Sequence, residues 1–357
     1  SQFKKSITVF GHTQYKKKFD RKYFNIDIKK NLFQSQNKEY VKRFIKKEKE
    51  INSDIIELHN RPIYLNYLVN ELKNRDYILY FHNDPLTMSG SKSISERSFL
   101  LNNCYRIVFN SNWSKKRFLY NMKSEAINSE KLIVINQSAK KNVINFKKKE
   151  NIITFVGKLN RSKGYDLFGN AVIKILKKYK KWKAYVVGDE PRDRLEYKHE
   201  RLINFGFKEH KEVIKIYKKT SIAVVCSRWD EPFGRTSLEA AANGCAVIIS
   251  NRGGLPETIT NGRILKNLTV RNIYKDIEDL IINSKIRKKY QQLSYKNFYL
   301  SHQYVSKQID NIRFNLSKIP KPNILNSKSN LRILHITNFN ERHNGRLYFN
   351  TGRRLNN

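Results

Sequence analysis

The feature that most constrains the fold of this chain is an alternation of short β-branched runs with longer segments of helical period. In the second half of the chain, five such runs lie at residues 152–156, 184–187, 202–207, 222–226 and 246–250. Between the first two runs, apolar residues recur every three or four positions from Leu167 to Leu176, opposite Lys174 and Lys177. Alternating strands and amphipathic helices predict a parallel sheet that is covered by helices on both faces.

The same alternation in the first half of the chain predicts a second α/β domain. Strand-like runs lie at residues 7–10, 55–58, 77–81, 106–109 and 132–135. We therefore expect an N-terminal Rossmann-like domain over residues 1–147 and another over residues 148–285, with a polar, lysine-rich stretch at their boundary.

The remainder of the chain is predicted to contain three further pieces. Residues 286–316 have a helical pattern and are expected to pack back towards the N-terminal domain. Residues 317–330 contain two prolines and several serines and asparagines, which is typical of a linker. Residues 331–357 begin with a fresh strand pattern, so we expect the start of a further α/β domain there.

Composition excludes several classes of protein. Hydrophobic residues make up 39% of the chain, which is enough to form cores, so the high charge does not indicate disorder. The apolar runs have the length of strands and fall well short of the about 18 residues that a membrane helix needs. Cys104, Cys226 and Cys245 are widely spaced in apolar segments, which argues against a disulfide framework or zinc site and favours a reducing cytoplasm.

The formal net charge of +40 has two explanations. It can mark a polyanionic partner, either nucleic acid or an anionic membrane surface. It can also reflect lysines that are spread over solvated faces, which the short and scattered basic runs favour. Because the sequence has no basic stripe with interleaved aromatic residues, we expect no nucleic-acid partner.

The most informative stretch is SRWDEPFGRTSLEAAANGCAVIISNRGGLPETI, at residues 227–259. Its pattern predicts one helix that opens at Gly234 and a second that opens at Pro256. Both helix N-termini would face the C-terminal edge of a parallel sheet, where such sheets bind ligands and helix N-termini hold phosphates. Glu231 and Glu239, eight residues apart, provide carboxylates that can accept hydrogen bonds from sugar or ribose hydroxyls.

The segment EPFGRTSLEA, with GCAVIISNRGGLPE after it, resembles the E-x7-E signature of the retaining GT-B glycosyltransferases of the GT4 family. The resemblance extends over residues 55–316 and implies the GT-B fold, in which two Rossmann-like α/β domains have parallel sheets that face each other across a cleft. It implies that Glu239 binds the ribose of a nucleotide donor and that Glu231 contacts the transferred sugar. The other donor-binding residues that it implies in this segment are Phe233, Gly234, Arg235 and Thr236.

Arg235 stands where the family usually has an apolar residue, so its side chain is expected to face the acceptor or a phosphate.

A second element, FVGKLNRSKGY, follows the first strand of the second domain and is similar to the family pattern G-[RK]-L-x-x-x-K-G. The resemblance implies that Lys158 and Lys163, beside Gly157, clamp the donor diphosphate and stabilise its charge as it leaves. Gly206 and Phe207 match the place where backbone groups of the family read the edge of the base. A turn with a core phenylalanine explains the last two residues equally well.

Four polar residues follow strands of the first domain. His82 ends the run YFHNDP, and the resemblance puts it close to the anomeric centre, where it hydrogen-bonds the donor sugar. His59 ends the preceding strand in ELHNRP, and it is expected on the acceptor side together with Asn83 and Asp84. For each histidine, the alternative is an ordinary structural side chain.

The resemblance implies a retaining glycosyltransferase that moves a hexose from a nucleotide-diphosphate sugar to a hydroxyl acceptor, with His82, Lys163 and Glu231 as its catalytic residues. The implied mechanism is a front-face attack in which the leaving phosphate takes the acceptor's proton. Neither a metal ion nor a permanently bound cofactor is then expected, and the donor is a UDP- or GDP-sugar.

The acceptor is expected to be a cell-surface glycan, such as lipopolysaccharide, or a lipid-linked saccharide. This places the protein in bacterial cell-envelope biosynthesis, in the cytoplasm and in peripheral contact with the anionic inner face of the cytoplasmic membrane. Three alternatives stay open: a sugar-nucleotide epimerase of related two-domain fold, a basic nucleic-acid-binding protein, and a non-catalytic relative that acts as an interaction module.

The sequence departs from the family pattern at both ends. The chain begins with what resembles the second strand of the first domain, so we expect a truncated domain without its opening strand and glycine-rich loop. The strand pattern after residue 331 resembles the start of another GT-B unit, which predicts a polypeptide with more than one transferase unit.

Overall fold

The computed structural model describes residues 7–12, 23–28, 35–193, 195–317, 332–336, 339–342 and 346–349. The chain forms two compact units, of which one is Ser1–Ile135 with Ser306–Asn357 and the other is Asn136–Val305. Each unit contains a parallel sheet and helices that pack on it. The predicted fold class of two Rossmann-like α/β domains is therefore confirmed.

The first unit contains a seven-stranded sheet in which every pair of neighbours is parallel. The strands in chain order are β1 (Ile7–Gly11), β2 (Tyr23–Asn25), β3 (Ile55–His59), β4 (Asp76–Phe81), β5 (Arg106–Phe109), β6 (Leu132–Val134) and β13 (Ile333–Ile336). Their spatial order is β2-β1-β13-β3-β4-β5-β6. The helices before the division are α1 (Gln36–Ile51), α2 (Leu65–Glu71), α3 (Ile94–Asn103), α4 (Asn112–Phe118) and α5 (Ser124–Ile127).

Strand β13 lies in the middle of this sheet, between β1 and β3. Ile333 is in register with Ile7 on one side and with Ile55 on the other. The predicted strand is thus confirmed, but it completes the first unit, whereas we expected it to open a further domain. The reason is physical: a β-branched strand in this position pairs both of its edges and buries Ile333, Leu334 and Ile336.

The second unit contains a six-stranded parallel sheet in the order β12-β11-β10-β7-β8-β9. Its strands are β7 (Glu150–Val156), β8 (Lys183–Val187), β9 (Leu202–Asn204), β10 (Thr220–Val225), β11 (Ala246–Ser250) and β12 (Arg263–Leu265). Its helices are α6 (Tyr165–Lys178), α7 (His210–Lys219), α8 (Arg235–Ala242), α9 (Val270–Ile282) and α10 (Ser284–Lys296), and α11 (His302–Ser317) begins here and ends in the first unit. The remaining described strands, β14 (Phe339–Arg342) and β15 (Arg346–Phe349), form an antiparallel pair.

The strand and helix beside the predicted motif are buried for reasons that the sequence makes clear. All five residues of β11 are buried, as expected for a continuous apolar run in a sheet with both faces covered. Helix α8 packs against β10 and β11, and its buried Ala240, Ala241 and Ala242 allow a close approach. This packing fixes the start of α8 at the C-terminal edge of the sheet.

Several boundaries differ from those expected. The compact units divide after Ile135 and not at residue 147. The helices expected over residues 286–316 are α10 and α11, of which α10 begins slightly earlier, at Ser284, and the helix expected to open at Pro256 is a single 3₁₀ turn. The predicted linker at residues 317–330 lies outside the described residues except for its first residue.

Two further observations bear on the class of protein. Cys104, Cys226 and Cys245 are free and buried, so the chain's cysteines form no disulfide bond with one another. None of the described helices combines the length and the apolar character that are needed to cross a membrane.

Candidate functional site

The loops that follow β7, β10 and β11 lie at one edge of the second sheet, because these strands are parallel neighbours. Backbone hydrogen bonds join the loops: Ser162 O accepts from Arg228 N at 2.9 Å and from Trp229 N at 3.1 Å. Glu231 O accepts from Gly254 N at 2.6 Å. The two sequence motifs are therefore brought together at the edge where α/β sheets bind ligands.

Lys163 is held at this edge by the turn that follows β7. Its backbone N–H donates to the Asn160 side chain at 3.0 Å, which caps a short 3₁₀ helix. Gly164 comes next with a φ of 73°, and a Cβ there would lie 1.9 Å from Cys226 O, so only glycine fits. As a result, the Lys163 ammonium lies against the carboxylate of Glu231 and forms an ion pair with it.

Glu231 is positioned mainly through its backbone. Gly253 has a φ of 59°, and a Cβ on it would lie 2.2 Å from Glu231 O. A glycine at this position therefore allows the two loops to touch, and the side chain of Glu231 is left to face Lys163. A cation and a carboxylate at one point can bind an oxyanion and a hydroxyl group of the same ligand.

The start of α8 is a second place where an anion can bind. Gly234 precedes the helix with a φ of 119°, and a Cβ on it would lie 2.4 Å from Leu255 Cδ2. Phe233 is buried, and Thr236 O accepts a hydrogen bond from Tyr217 Oη at 3.2 Å. The first N–H groups of α8 have no partner within the helix, and the positive end of its dipole favours phosphate oxygens.

Glu239 lies in the second turn of α8, and its side chain is only 8% exposed. Its Oε1 accepts from Arg235 Nη2 at 3.0 Å and lies 3.1 Å from His210 Nε2. Burial alone would raise the pKa of Glu239, but the hydrogen bond from His210 and the charge of Arg235 lower it below its usual value. Glu239 is therefore an ionised acceptor, and the Arg235 side chain, expected towards acceptor or phosphate, contacts this carboxylate.

The glycines at the ends of β7, β8 and β9 let these strand ends pack closely. Gly188 N donates to Gly206 O at 2.9 Å, and a Cβ on Gly188 would lie 1.8 Å from Gly157 O. Lys158 and Phe207, which the family resemblance implies as contacts of the diphosphate and the base, are both exposed. Both side chains are thus accessible to a ligand at this edge.

In the first unit, His59 is the last residue of β3, and His82 directly follows β4, the parallel neighbour of β3. Their rings are 9° from parallel, with His59 Nδ1 3.1 Å from His82 Nε2. Asn60 Oδ1 accepts from the backbone N–H groups of His82 and Asn83, each at 3.2 Å. Burial lowers the pKa of His59 to about 4 and that of His82 to about 3, so both rings are neutral at pH 7.

Asp84 forms a structural ion pair with Arg117 that the sequence did not predict. Its carboxylate accepts from Arg117 Nη2 at 2.9 Å and from Arg117 Nε at 3.2 Å, and it caps Leu86 N at 3.1 Å. The residue is buried. Because these bonds use both carboxylate oxygens, Asp84 is a poor candidate for binding acceptor hydroxyls.

A buried ionic cluster lies next to His59. Arg313 donates to the two oxygens of Glu57 from Nε and Nη2, each at 2.8 Å, and His335 contacts the same carboxylate. The ligand atoms of Glu57, His59 and His335 all lie within 4.8 Å of one another, which is a spacing that a metal ion could use. However, the guanidinium that pairs with Glu57 would repel a cation, so we assign the cluster as an ion-pair network.

Two contacts at the second unit's site were missed by reasoning from sequence. One is the contact between His210 Nε2 and Glu239 Oε1. The other is a bidentate pair in which Arg228 donates to the two carboxylate oxygens of Asp166 at 2.6 and 2.7 Å. The signal available was position alone: Arg228 stands three residues before Glu231, and Asp166 stands three residues after Lys163.

Residues 136–297 match the protein family described as glycosyl transferases group 1. The part of the chain that contains the Lys163, Glu231 and Glu239 loops is therefore similar to the glycosyltransferase group 1 domain. LpsB of Rhizobium meliloti (strain 1021), a lipopolysaccharide core biosynthesis mannosyltransferase, is 30% identical over 118 residues, which are 30% of this chain and 33% of that protein. The chain thus matches about a third of the length of this curated relative.

Solved structures extend the likeness to both units. A glycosyltransferase from Rickettsia africae ESF-5 has a TM-score of 0.68 at 21% identity, over 84% of this chain and 86% of that chain. Anabaena HepE, solved in complex with UDP-glucose, has a TM-score of 0.61 at 17% identity, over 80% of this chain and 84% of that chain. At such identities the likeness establishes the fold, which is the predicted GT-B fold.

Proposed function

We propose that the protein is a retaining glycosyltransferase that transfers a hexose from a nucleotide-diphosphate sugar to a hydroxyl acceptor. The observation that carries this proposal is the Lys163–Glu231 ion pair at the edge of the second sheet, where α8 also begins and carries Glu239 in its second turn. These residues lie in the region that matches the family of glycosyl transferases group 1. A nucleotide sugar needs a cation for its diphosphate, a carboxylate for its sugar and an acceptor for its ribose hydroxyls. These three residues supply all of them.

The donor in this proposal is a UDP- or GDP-sugar. Glu239 binds the ribose hydroxyls, the amides at the start of α8 bind phosphate oxygens, and Gly206 with Phe207 contacts the base. In support, the HepE structure that resembles this chain contains UDP-glucose.

In the proposed mechanism, Lys163 and Lys158 stabilise the negative charge that develops on the diphosphate as its bond to the sugar breaks. Glu231 orients the sugar. The acceptor hydroxyl attacks the anomeric carbon from the face that the diphosphate leaves, and a phosphate oxygen takes the hydroxyl proton. The anomeric configuration is retained, and neither a metal ion nor a bound cofactor is required.

The first unit contributes His82, which hydrogen-bonds a hydroxyl of the donor sugar in this proposal. His59 and Asn83 belong to the acceptor side. A neutral imidazole suits such a contact, because one ring nitrogen donates a hydrogen bond and the other accepts one. Asp84 is left out, since both of its oxygens are engaged by Arg117 and Leu86.

The proposed acceptor is a saccharide of the bacterial cell envelope, either a lipopolysaccharide core or a lipid-linked glycan. The similarity to LpsB supports this class. The net charge of +40 suits peripheral contact with the anionic inner face of the cytoplasmic membrane, and the free cysteines suit a reducing cytoplasm. Sedimentation with liposomes tests the contact: binding at low salt should require anionic lipid, and equal binding to neutral vesicles contradicts it.

The proposed function is tested first by binding. Thermal melting of the full chain is measured with UDP-glucose, UDP-N-acetylglucosamine and GDP-mannose, and the donor that stabilises it is used for a transfer assay. Glu239→Gln should weaken donor binding about 10- to 100-fold, because a neutral amide loses charge-assisted hydrogen bonds to ribose. Glu200→Gln is the matched control, since that exposed glutamate lies in the same unit away from the loops.

Unchanged binding and transfer in Glu239→Gln contradict the proposal, as does the absence of stabilisation by every nucleotide sugar. Conversion of one nucleotide sugar into another without an acceptor assigns the chain to the epimerase class instead. Loss of donor binding in Glu239→Gln alone, with full activity in Glu200→Gln, supports it.

A further inference from the structure

The proposed function leaves His210 unused, although it is one of two basic side chains that contact the buried carboxylate of Glu239. His210 is the first residue of α7, and its Nε2 lies 3.1 Å from Glu239 Oε1. Arg235, one turn earlier on α8, donates to the same oxygen at 3.0 Å. Because these two basic side chains belong to different helices, they fix both the position and the direction of the carboxylate.

The other oxygen of this carboxylate, Oε2, forms no hydrogen bond to any residue in the part of the chain that the structure describes. The side chain of Glu239 is more than nine-tenths buried, at 8% exposure. Oε2 is not among the described buried side-chain atoms that lack a partner, so this oxygen is accessible from solvent and a ligand hydroxyl can reach it. A carboxylate that is held by contacts at one oxygen and has no partner at the other is suited to accept a hydrogen bond from a ligand hydroxyl.

We infer that His210 is a positioning residue of the nucleotide site, which holds Glu239 Oε1 so that Oε2 accepts a hydrogen bond from a ribose hydroxyl of the donor. This inference rests on the proposed function and adds a residue to it. The side chain of His210 is 62% exposed, so solvent screens its bond to Glu239. The loss on removing it is therefore modest, about two- to fivefold in affinity.

The same contact makes donor binding depend on pH. The hydrogen bond that His210 donates to Glu239 raises the pKa of His210 above its ordinary value of 6.5, while partial burial and Arg235 oppose the rise. His302 of α11 is a further basic group close enough to interact with His210, and Lys140 interacts with His302 in turn. Burial followed by the charge of Arg235 lowers the pKa of His302. As the pH rises through the pKa of His210, this side chain loses its charge and its contact with Glu239 Oε1 weakens. The affinity for the donor nucleotide therefore falls.

The test uses calorimetric titration of the full chain with UDP and GDP, and with the 2′,3′-dideoxy analogue of each. His210→Ala should weaken binding of the ribonucleotide by about two- to fivefold and leave the dideoxy analogue unchanged. His210→Gln, whose neutral amide still donates a hydrogen bond, should recover most of the affinity at pH 7 and lose its dependence on pH between 6 and 8. Lys211→Ala, at the next position of α7, is the matched control.

Equal losses for the ribonucleotide and the dideoxy analogue in His210→Ala, or no loss for either, overturn the inference. If Glu239→Gln loses affinity while His210→Ala does not, the proposed function stands and the inference about His210 fails. If the wild-type chain binds neither UDP nor GDP, the proposed function fails and this inference fails with it. Circular dichroism of each variant verifies that it is folded.

Discussion

At the scale of single residues, the buried candidate site residues Glu239, His59 and His82 differ in charge. Glu239 keeps its charge because His210 and Arg235 offset the effect of burial on its pKa. His59 and His82 are neutral, since burial lowers both pKa values and the opposing effect of Glu57 on His59 is smaller than that of burial. The second unit therefore presents a fixed anion, and the first presents neutral rings.

This difference predicts that the first unit loses stability as the pH falls from about 6.5 towards 4. The folded-state pKa values of His59, about 4, and His82, about 3, lie below the ordinary 6.5, so the unfolded chain binds more protons in this window. Stability that is fully present above pH 6.5 is therefore lost on acidification. Glu57, whose pKa is lowered, adds to the loss only below its ordinary 4.5.

Urea unfolding of the full chain at pH 7 and pH 5 measures this effect. His59→Gln should flatten the pH dependence, and nitrogen NMR should find both rings neutral at pH 6. Equal stability at pH 7 and pH 5, or a charged His82 at pH 6, contradicts the prediction.

Sequence reasoning could propose Lys163, Glu231 and Glu239 as site residues, because each lies within a short motif that contains a glycine. It could not identify His210, which meets Glu239 across 29 positions of the chain and has no motif of its own. Nor could it show that Asp84 pairs with Arg117, since only folding brings the helix that carries Arg117 to the loop after β4. Local patterns report residue types near a strand end, and tertiary contacts decide what those residues touch.

At the scale of elements, the Lys163 and Glu231 loops are tied to the first turn of α6. Arg228 bonds both carboxylate oxygens of Asp166 and also donates to Arg161 O at 2.7 Å. A bidentate pair of this type limits the orientation of both partners as well as their distance. The turn that ends at Lys163 and the loop that leads to Glu231 are therefore held in register.

We expect Arg228→Ala to lower kcat/KM for the donor several-fold and to reduce stability by about 1 kcal/mol, since the pair is partly exposed. Arg228→Lys should recover the stability more fully than the activity, because lysine keeps the charge and loses the bidentate geometry. Steady-state kinetics and thermal melting measure the two effects. Arg271→Ala, on the exposed side of α9, is the control, and an equal effect of both substitutions contradicts the assignment.

The periodicity of the sequence predicted most elements of the second unit, including the buried stripe of α6. It did not predict the break between α10 and α11, because that segment contains neither proline nor glycine. The chain leaves the helix there to bury Phe298 and Leu300, and Leu300 O accepts a hydrogen bond from Ala139 N at 3.0 Å. A tertiary contact of this kind leaves no local signature.

At the scale of the whole molecule, the first unit depends on a strand from the far end of the described chain. Strand β13 hydrogen-bonds to β1 and β3 and contributes three buried apolar side chains. Sequence patterns could predict that these residues form a strand and that both units are α/β. They could not predict its neighbours, because the order of strands in a parallel sheet is set by connections over long distances.

Truncation after residue 317 should therefore unfold the first unit while the second stays folded. Each of Ile333, Leu334 and Ile336 contributes about 1.5–3 kcal/mol on burial, and their sum approaches the about 5–15 kcal/mol stability of an ordinary domain. Differential scanning calorimetry should show that one of two transitions is lost, with the remaining transition as an internal control. Leu334→Asp in the full chain should act in the same direction, and a truncated chain with both transitions intact contradicts the prediction.

The position of β13 also sets the order of events during protein synthesis. Ile7 is among the first described residues to leave the ribosome, yet its partner Ile333 is translated only after the whole of Asn136–Val305. The contiguous second unit can fold as soon as it has emerged. Strands β1 and β3 cannot form their final pairing until β13, which lies between them in the sheet, has been synthesised. A nascent chain that stalls in this interval exposes two unpaired strand edges, which are the features that promote aggregation and recruit chaperones.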